Sequence, residues 1–141
     1  MTTKQIDLIK SSWSLVATMD QETVGALFYN RLFELSPEVR LLFHTPIPQQ
    51  SKKLLGTLAF VISKLDKLDD ILGEVVKLSQ RHAGYGVKEE HYAVVGDALL
   101  WTLERGLGSQ WNEELKQAWS DCYFLLATAM INAAQYKANA A

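Results

Sequence analysis

The chain is poor in the residues that staple, kink or anchor a protein. Its 141 residues hold one cysteine, Cys122, so no internal disulfide can form and a reducing compartment is allowed. The only prolines are Pro37, Pro46 and Pro48, which leaves two long proline-free tracts better suited to helices than to strands and turns. No run approaches the roughly 20 apolar residues that a membrane span requires. The net charge of −2 gives no basic footprint for nucleic acid or an anionic membrane. No glycine-rich phosphate loop and no His-Glu-x-x-His metal motif occurs. No apolar stretch follows Met1-Thr2-Thr3-Lys4-Gln5, so no secretory signal is expected, and cytoplasmic residence follows by elimination.

What is present is the ordinary mixture of a globular domain, 48% hydrophobic and 21% charged, at a length that can bury one core. Thr2 and Gln5 form a capping-box pattern, and Ile6, Ile9, Trp13 and Val16 then recur at helical spacing. A break near Asp20 opens a second helix with Val24, Leu27, Phe28, Leu32 and Phe33 on its inner side. Ser36-Pro37-Glu38 reads as a serine cap with proline at the first helical position, and leads Val39, Leu42 and Phe43 into a corner at residues 45–48.

A helix carrying Leu54, Leu55, Leu58, Val61, Ile62 and Leu65 follows. After a polar stretch from Asp66 to Asp70 comes another, with Ile71, Val75, Leu78 and His82 on its seam, ended by Gly84 and Gly86 around Tyr85. Glu89 and Glu90 start the next, which shows Tyr92, Val95, Leu99 and Leu103 before Gly106 and Gly108 stop it. Asn112 caps the last, with Leu115, Trp119, Leu126, Met130 and Ala133 inward. The expectation is one all-α domain over residues 1–141, about seven helices around one core. Periodicity alone does not distinguish one packing of seven helices from another.

The residue with the most chemical potential is His82, on the apolar side of its helix just before a glycine-rich exit. A neutral imidazole there is a natural axial ligand for an iron porphyrin. Spacing alone more often means a core histidine satisfied by a backbone carbonyl.

Two segments carry a resemblance. Leu35-Ser36-Pro37-Glu38-Val39-Arg40-Leu41-Leu42-Phe43 is similar to the corner that presents a phenylalanine to the haem in bacterial globins. Arg81-His82-Ala83-Gly84-Tyr85-Gly86-Val87, running on through His91-Tyr92-Ala93-Val94-Val95-Gly96, is similar to their proximal segment. From the first helix to Tyr136 the chain resembles single-domain bacterial haemoglobins and the globin domain of flavohaemoglobins.

The resemblance implies a globin fold around one haem b, with His82 as proximal iron ligand and Phe43 packed on the porphyrin. Leu78, Val87, Tyr92 and Val95 would also line the cofactor. Tyr29 and Gln50 would be distal donors to a bound gas, with Leu54 as the apolar wall beside them. Lys53 would reach a haem propionate, or else be solvated. The alternatives for Tyr29 and Gln50 are ordinary helix packing and an exposed cap. His44 and His91 read as surface residues, and Cys122 as a small packed hydrophobe.

One departure stands out. Flavohaemoglobins pair a proximal tyrosine, matched here by Tyr92, with a glutamate. The position expected to hold that glutamate is Ala134, with Gln135 beside it. Without a carboxylate to raise imidazole basicity, peroxidase-like chemistry is expected to be weak, and His82 would donate to a backbone carbonyl such as that of Leu78. The chain also ends where a flavohaemoglobin's reductase domain would begin.

Two functions follow from the resemblance. One is reversible binding of dioxygen, with nitric oxide and carbon monoxide as further ligands, for transport or storage. The other is nitric oxide dioxygenase activity with a reductase supplied in trans. No nucleic-acid or membrane partner is expected.

Overall fold

The structure is a computed structural model that describes residues 1–84 and 87–140, with the side chains of residues 69, 71, 72, 84 and 134–140 left aside. The sequence readings that rest on residues 84–86, or on the side chains of Ile71, Ala134, Gln135 and Tyr136, lie outside the described residues. Among the described residues there are six α-helices and no strand. They are α1 (Thr3–Val16), α2 (Gln21–Leu35), α3 (Ile47–Ser63), α4 (Leu72–Gly84), α5 (Glu89–Leu107) and α6 (Glu113–Ala140). Three 3₁₀ segments, Pro37–Leu42, Leu65–Ile71 and Gly108–Gln110, connect them. Counting the segment opened by Pro37, the seven expected helices are all present.

The caps follow local chemistry. Thr2 and Gln5 form the complete capping box at α1, with the Gln5 amide donating to Thr2 Oγ1 at 3.1 Å. Asp20 accepts from the Thr23 amide at 3.0 Å and starts α2, and Asn112 accepts from the Leu115 amide at 2.8 Å. Two readings need correction. Ser36 precedes a 3₁₀ turn rather than an α-helix, and its hydroxyl donates to the Glu38 carboxylate instead of capping the backbone. Gly106 lies within α5, and Gly108 alone ends it, at φ 54°, where a side chain would be strained.

Helix α2 lies across α3 and α5, α4 packs on α6, and α1 packs on α6 and α5. The main core gathers Ile9, Phe28, Tyr29, Leu32, Val39, Leu55, Leu103 and Trp119, all buried. Each such apolar side chain contributes on the order of 1.5–3 kcal/mol by leaving water. A second, smaller cluster of Val61, Val75 and Met130, with Leu78, Tyr92 and Ala129 packed against it, lies between α3, α4, α5 and α6. Cys122 sits in the main core, and burial pushes its thiol up to about 11, so it remains an unreactive packed side chain.

The tightest crossing is between α2 and α3. A Cβ added at Gly25 would lie 1.9 Å from Ser51 Oγ, 2.0 Å from its Cβ and 2.9 Å from its Cα. Ser51 is itself fully buried and its hydroxyl donates to the Ile47 carbonyl at 2.8 Å. Backbone thus meets backbone with only hydrogen and a small side chain between them. Gly25→Ala is therefore expected to destabilise the protein by about 1–3 kcal/mol, the usual cost of overpacking, despite alanine's better helix propensity. Denaturant unfolding measures this, and Ser51→Gly in the same chain should recover part of the loss.

Candidate functional site

The crossing at Gly25 determines what lies one turn further along α2. Tyr29 is buried, and its hydroxyl points at the first turn of α3, donating to the backbone carbonyl of Gln50 at 3.5 Å. That distance is at the outer limit of a hydrogen bond, so the contact is weak and readily exchanged for a better acceptor. Burial pushes the Tyr29 phenol up to about 12, which keeps it protonated, and a donor, throughout the physiological range.

Aromatic rings fix the phenol in place. Tyr29 stands edge-on to Phe28 (centroids 4.9 Å apart) and to Phe43 (5.3 Å), and is tilted against Phe33 at 6.1 Å. Phe33 and Phe43 meet at 5.7 Å, and the Arg40 guanidinium lies 5.2 Å over Phe33. Such pairs are worth about 0.5–1.5 kcal/mol each beyond their area, so Phe43 is held by ring contacts where the corner leaves it half-buried. Leu54 packs half-buried against this same core, as does Val95 from α5.

His82 lies in the last turn of α4, half-buried, with Nδ1 2.8 Å from the Leu78 carbonyl. Burial lowers its pKa below the ordinary histidine value; the hydrogen bond to Leu78 works against this, and the Arg81 charge adds to it. The ring is accordingly neutral near pH 7. With Nδ1–H donating to a carbonyl, the ring's lone pair is on Nε2, the arrangement a metal-ligating imidazole requires. The expected partnership of His82 with Leu78 is present. The Val87 amide donates to the His82 carbonyl at 3.0 Å and closes the exit from α4.

Between α3 and α4 lies a cleft of about 350 Å³. Its walls include Phe60, Val61, Val75 and Leu78, and Lys53 from α3 and Arg81 from α4 also line it. Glu74, paired with Lys77 at 3.7 Å, lies on the same border. Leu78 and Tyr92 belong to the smaller hydrophobic cluster, whereas Tyr29, Phe43, Leu54 and Val95 belong to the main core. The expected site residues thus divide between two apolar masses, and the α3–α4 cleft is walled by the smaller of them through Val61, Val75 and Leu78. Apolar walls that carry the cations Lys53 and Arg81, with the neutral imidazole of His82 next to Arg81 on the same helix, fit a flat apolar ring system that carries carboxylates and a metal.

Tyr92 is half-buried, and its backbone is held by Tyr123, whose hydroxyl donates to the Tyr92 carbonyl at 2.6 Å. Tyr123 comes close because Gly96 has no side chain: a Cβ there would lie 2.7 Å from the Tyr123 ring. The α5–α6 contact at Gly96 was not legible in the sequence, and neither was the one at Gly25. An isolated glycine inside an apolar helical pattern was the available signal in both cases. His91 does more than sit at the surface, since its Nδ1 accepts from the Lys88 amide at 2.9 Å and caps α5. His44 is exposed.

An all-helical core with a buried phenol, a phenylalanine corner and a carbonyl-bound histidine on a cleft-lining helix has the parts that a helical cofactor-binding protein needs. Residues 26–130 match the family model described as Globin, and the chain belongs to the globin family, whose members are haem proteins. It is 28% identical over 144 residues to a neuroglobin of Tetraodon nigroviridis, covering 92% of this chain and 90% of that one. It is 32% identical over 134 residues to a flavohemoprotein of Rhodopirellula baltica, covering 93% of this chain but only 33% of that longer protein. Among solved structures, an engineered carbene transferase, a candidate nitric oxide dioxygenase from Rhodothermus marinus, superposes with a TM-score of 0.87 at 25% identity, over 100% of this chain and 99% of that one.

The raised Tyr29 pKa has a measurable consequence. The phenol ionises near 10 in an unfolded chain and near 12 in the fold. The folded state holds the proton more tightly, so the resulting stability is complete below pH 10 and is lost as the pH rises through 12. Tyr29→Phe should flatten part of the alkaline fall in stability in that window, leaving the part owed to Tyr92 and Tyr123, whose phenols burial also pushes up. Unfolding curves taken between pH 9 and about 12 check this.

Proposed function

We propose that this globin binds dioxygen reversibly at a haem b, with nitric oxide and carbon monoxide as further ligands, in oxygen transport or storage. The observation that carries the reading is the Tyr29 phenol, protonated, walled by aromatic rings and held by one 3.5 Å contact. The cofactor would supply an iron centre able to bind a diatomic gas. His82 would hold it through Nε2, with its ring orientation fixed by the Leu78 carbonyl. Phe43, Leu54, Leu78, Val87, Tyr92 and Val95 would pack against the porphyrin, and Lys53 would meet a propionate. Tyr29, and the Gln50 amide beside it, would donate hydrogen bonds to a bound gas that carries partial negative charge.

A second reading, nitric oxide dioxygenase, draws support from the Rhodothermus marinus structure and the flavohemoprotein. In that reading dioxygen and nitric oxide combine to nitrate, and a separate reductase restores the ferrous state. The same two donors would orient the gas for either role. Cytoplasmic residence belongs to this proposal, as does the absence of nucleic-acid or membrane partners. Among the described residues no helix is long and apolar enough to cross a membrane.

Absorption spectra of the purified protein in ferric, ferrous and gas-bound forms test the cofactor directly. His82→Ala should lose stable haem and with it the stability that cofactor binding adds to the folded state. A His82→Ala protein that keeps stoichiometric haem and an unchanged spectrum would falsify the ligand assignment.

Tyr29→Phe and Gln50→Leu should each speed dioxygen release, Tyr29→Phe the more. A hydrogen bond to a partly charged acceptor is worth about 1.5–3 kcal/mol, which corresponds to a ten- to hundredfold change in rate. Carbon monoxide, a poorer acceptor, should respond far less. Equal effects on both gases would mean that Tyr29 acts by bulk alone. In the same stopped-flow experiment, sustained nitric oxide consumption with an added generic reductase selects the dioxygenase reading, and a single turnover selects reversible binding.

A further inference from the structure

Helix α4 carries His82, and it rests on α6 and on the 3₁₀ segment that leads into it. Val75, Leu78, Ser79 and His82 recur at three- and four-residue spacing, so they share one side of α4. Val75 and Leu78 pack in the smaller cluster with Met130 of α6. Ser79 and His82 are polar, and each meets a backbone carbonyl. His82 Nδ1 lies 2.8 Å from that of Leu78, in its own helix. Ser79, only 1% exposed, donates its hydroxyl to the Met130 carbonyl at 2.6 Å, across to α6. We infer that Ser79 is the positioning residue for His82: its bond to the Met130 carbonyl sets the register in which α4 presents the imidazole to the cofactor. The inference rests on the reading of His82 as the iron ligand.

The direction of the hydroxyl is the first argument. A serine or threonine inside a helix often returns its hydroxyl to the carbonyl four residues back. Ser12, Ser14, Ser51 and Thr102 do so here, to Leu8, Lys10, Ile47 and Ala98. Ser79 instead reaches residue 130 on another helix. A carbonyl oxygen has two lone pairs, so one inside a helix can accept such a donor beside its intrahelical bond.

What the bond constrains is the second argument. The apolar contacts of Val75 and Leu78 with Met130 hold α4 against α6, but they are non-directional and tolerate a small roll or slide. A hydrogen bond does not, because it weakens steeply once its angle is lost. A buried hydroxyl left without a partner costs more than the bond itself contributes. The Leu78 contact fixes the His82 ring only relative to α4. Ser79, about one helical turn before His82, fixes α4 relative to α6. The two bonds in series give the imidazole one orientation in the fold.

The test uses the haem-loaded protein and the iron–histidine stretching band in the resonance Raman spectrum of its ferrous, gas-free form. That band reports how the imidazole meets the iron. Wild type should give one narrow band. Ser79→Ala removes the hydroxyl with little change of volume, and its band should shift or split. Its haem should pass to an acceptor protein about fivefold faster, the factor for one neutral hydrogen bond. Thr102→Ala removes a buried hydroxyl bonded within α5, controls for a general loss of stability, and should leave the band unchanged. Ser79→Thr keeps a hydroxyl and should restore the wild-type band. If its extra methyl group prevents folding, Ser79→Cys takes its place, and its weaker S–H donor should give a band between those of wild type and Ser79→Ala. A Ser79→Ala band identical to that of wild type, or an equal shift in Thr102→Ala, would overturn the inference and leave His82 as the ligand. A wild-type protein without an iron–histidine band, or a band that survives in His82→Ala, would remove the ligand reading itself and the inference with it.

Discussion

The close approach of α2 and α3 at Gly25 and Ser51 is the constraint from which the candidate site follows. Two helices normally keep their axes 8–10 Å apart because side chains stand between them. Here a glycine meets a buried serine, so the first turn of α3 comes down onto α2. Tyr29 lies one helical turn beyond Gly25, and Gln50 immediately precedes Ser51. A single contact therefore brings the phenol within 3.5 Å of the Gln50 carbonyl. A larger residue at position 25 would lift α3 and separate the two donors before any chemistry was considered. The corner between the helices is then short, and Phe43 has little choice but to return into the Phe33–Tyr29 rings.

How much of this was legible depended on whether the cause was local. The caps at Thr2 and Asn112 depend on a side chain meeting an amide three residues ahead, and that geometry is written in the sequence. The His82–Leu78 contact is local in the same sense, one turn of one helix. Gly25–Ser51 and Gly96–Tyr123 join residues 26 and 27 positions apart on different helices, and no periodicity reports which small residue faces which neighbour. Ser36 misled for a related reason. Its hydroxyl donates to the charged Glu38 carboxylate two residues away and accepts from no amide of the turn. The cleft-lining role of Arg81 was hidden because a cation on an exposed helix face usually means solvent.

The second glycine contact does on the far side what the first does near Tyr29. Gly96 admits the Tyr123 ring, and Tyr123 ties down the backbone of Tyr92 at 2.6 Å rather than its phenol. The carbonyl is held, so the Tyr92 side chain is positioned through its own helix. Flavohaemoglobins pair this tyrosine with a glutamate that the sequence here replaces by Ala134; the contact that anchors Tyr92 runs through its main chain. That arrangement fixes geometry without adding negative charge, and the Nδ1 of His82 meets a neutral carbonyl, that of Leu78.

The two sides of the proposed haem site thus differ in stiffness. His82 is held at 2.8 Å inside its own helical turn, and burial keeps it neutral, so its orientation changes only if α4 itself moves. Tyr29 has a rigidly packed ring but a hydroxyl attached to Gln50 by a marginal contact. A hydroxyl rotates about its C–O bond almost freely, so the donor can turn from the Gln50 carbonyl to an incoming acceptor without moving any ring. Loss of the 3.5 Å contact costs little, and a bond to a polarised gas gains more, because charge-assisted hydrogen bonds are roughly twice as strong as neutral ones. In the proposed site, selection among gases would then fall to the distal donors, which would separate acceptors by charge.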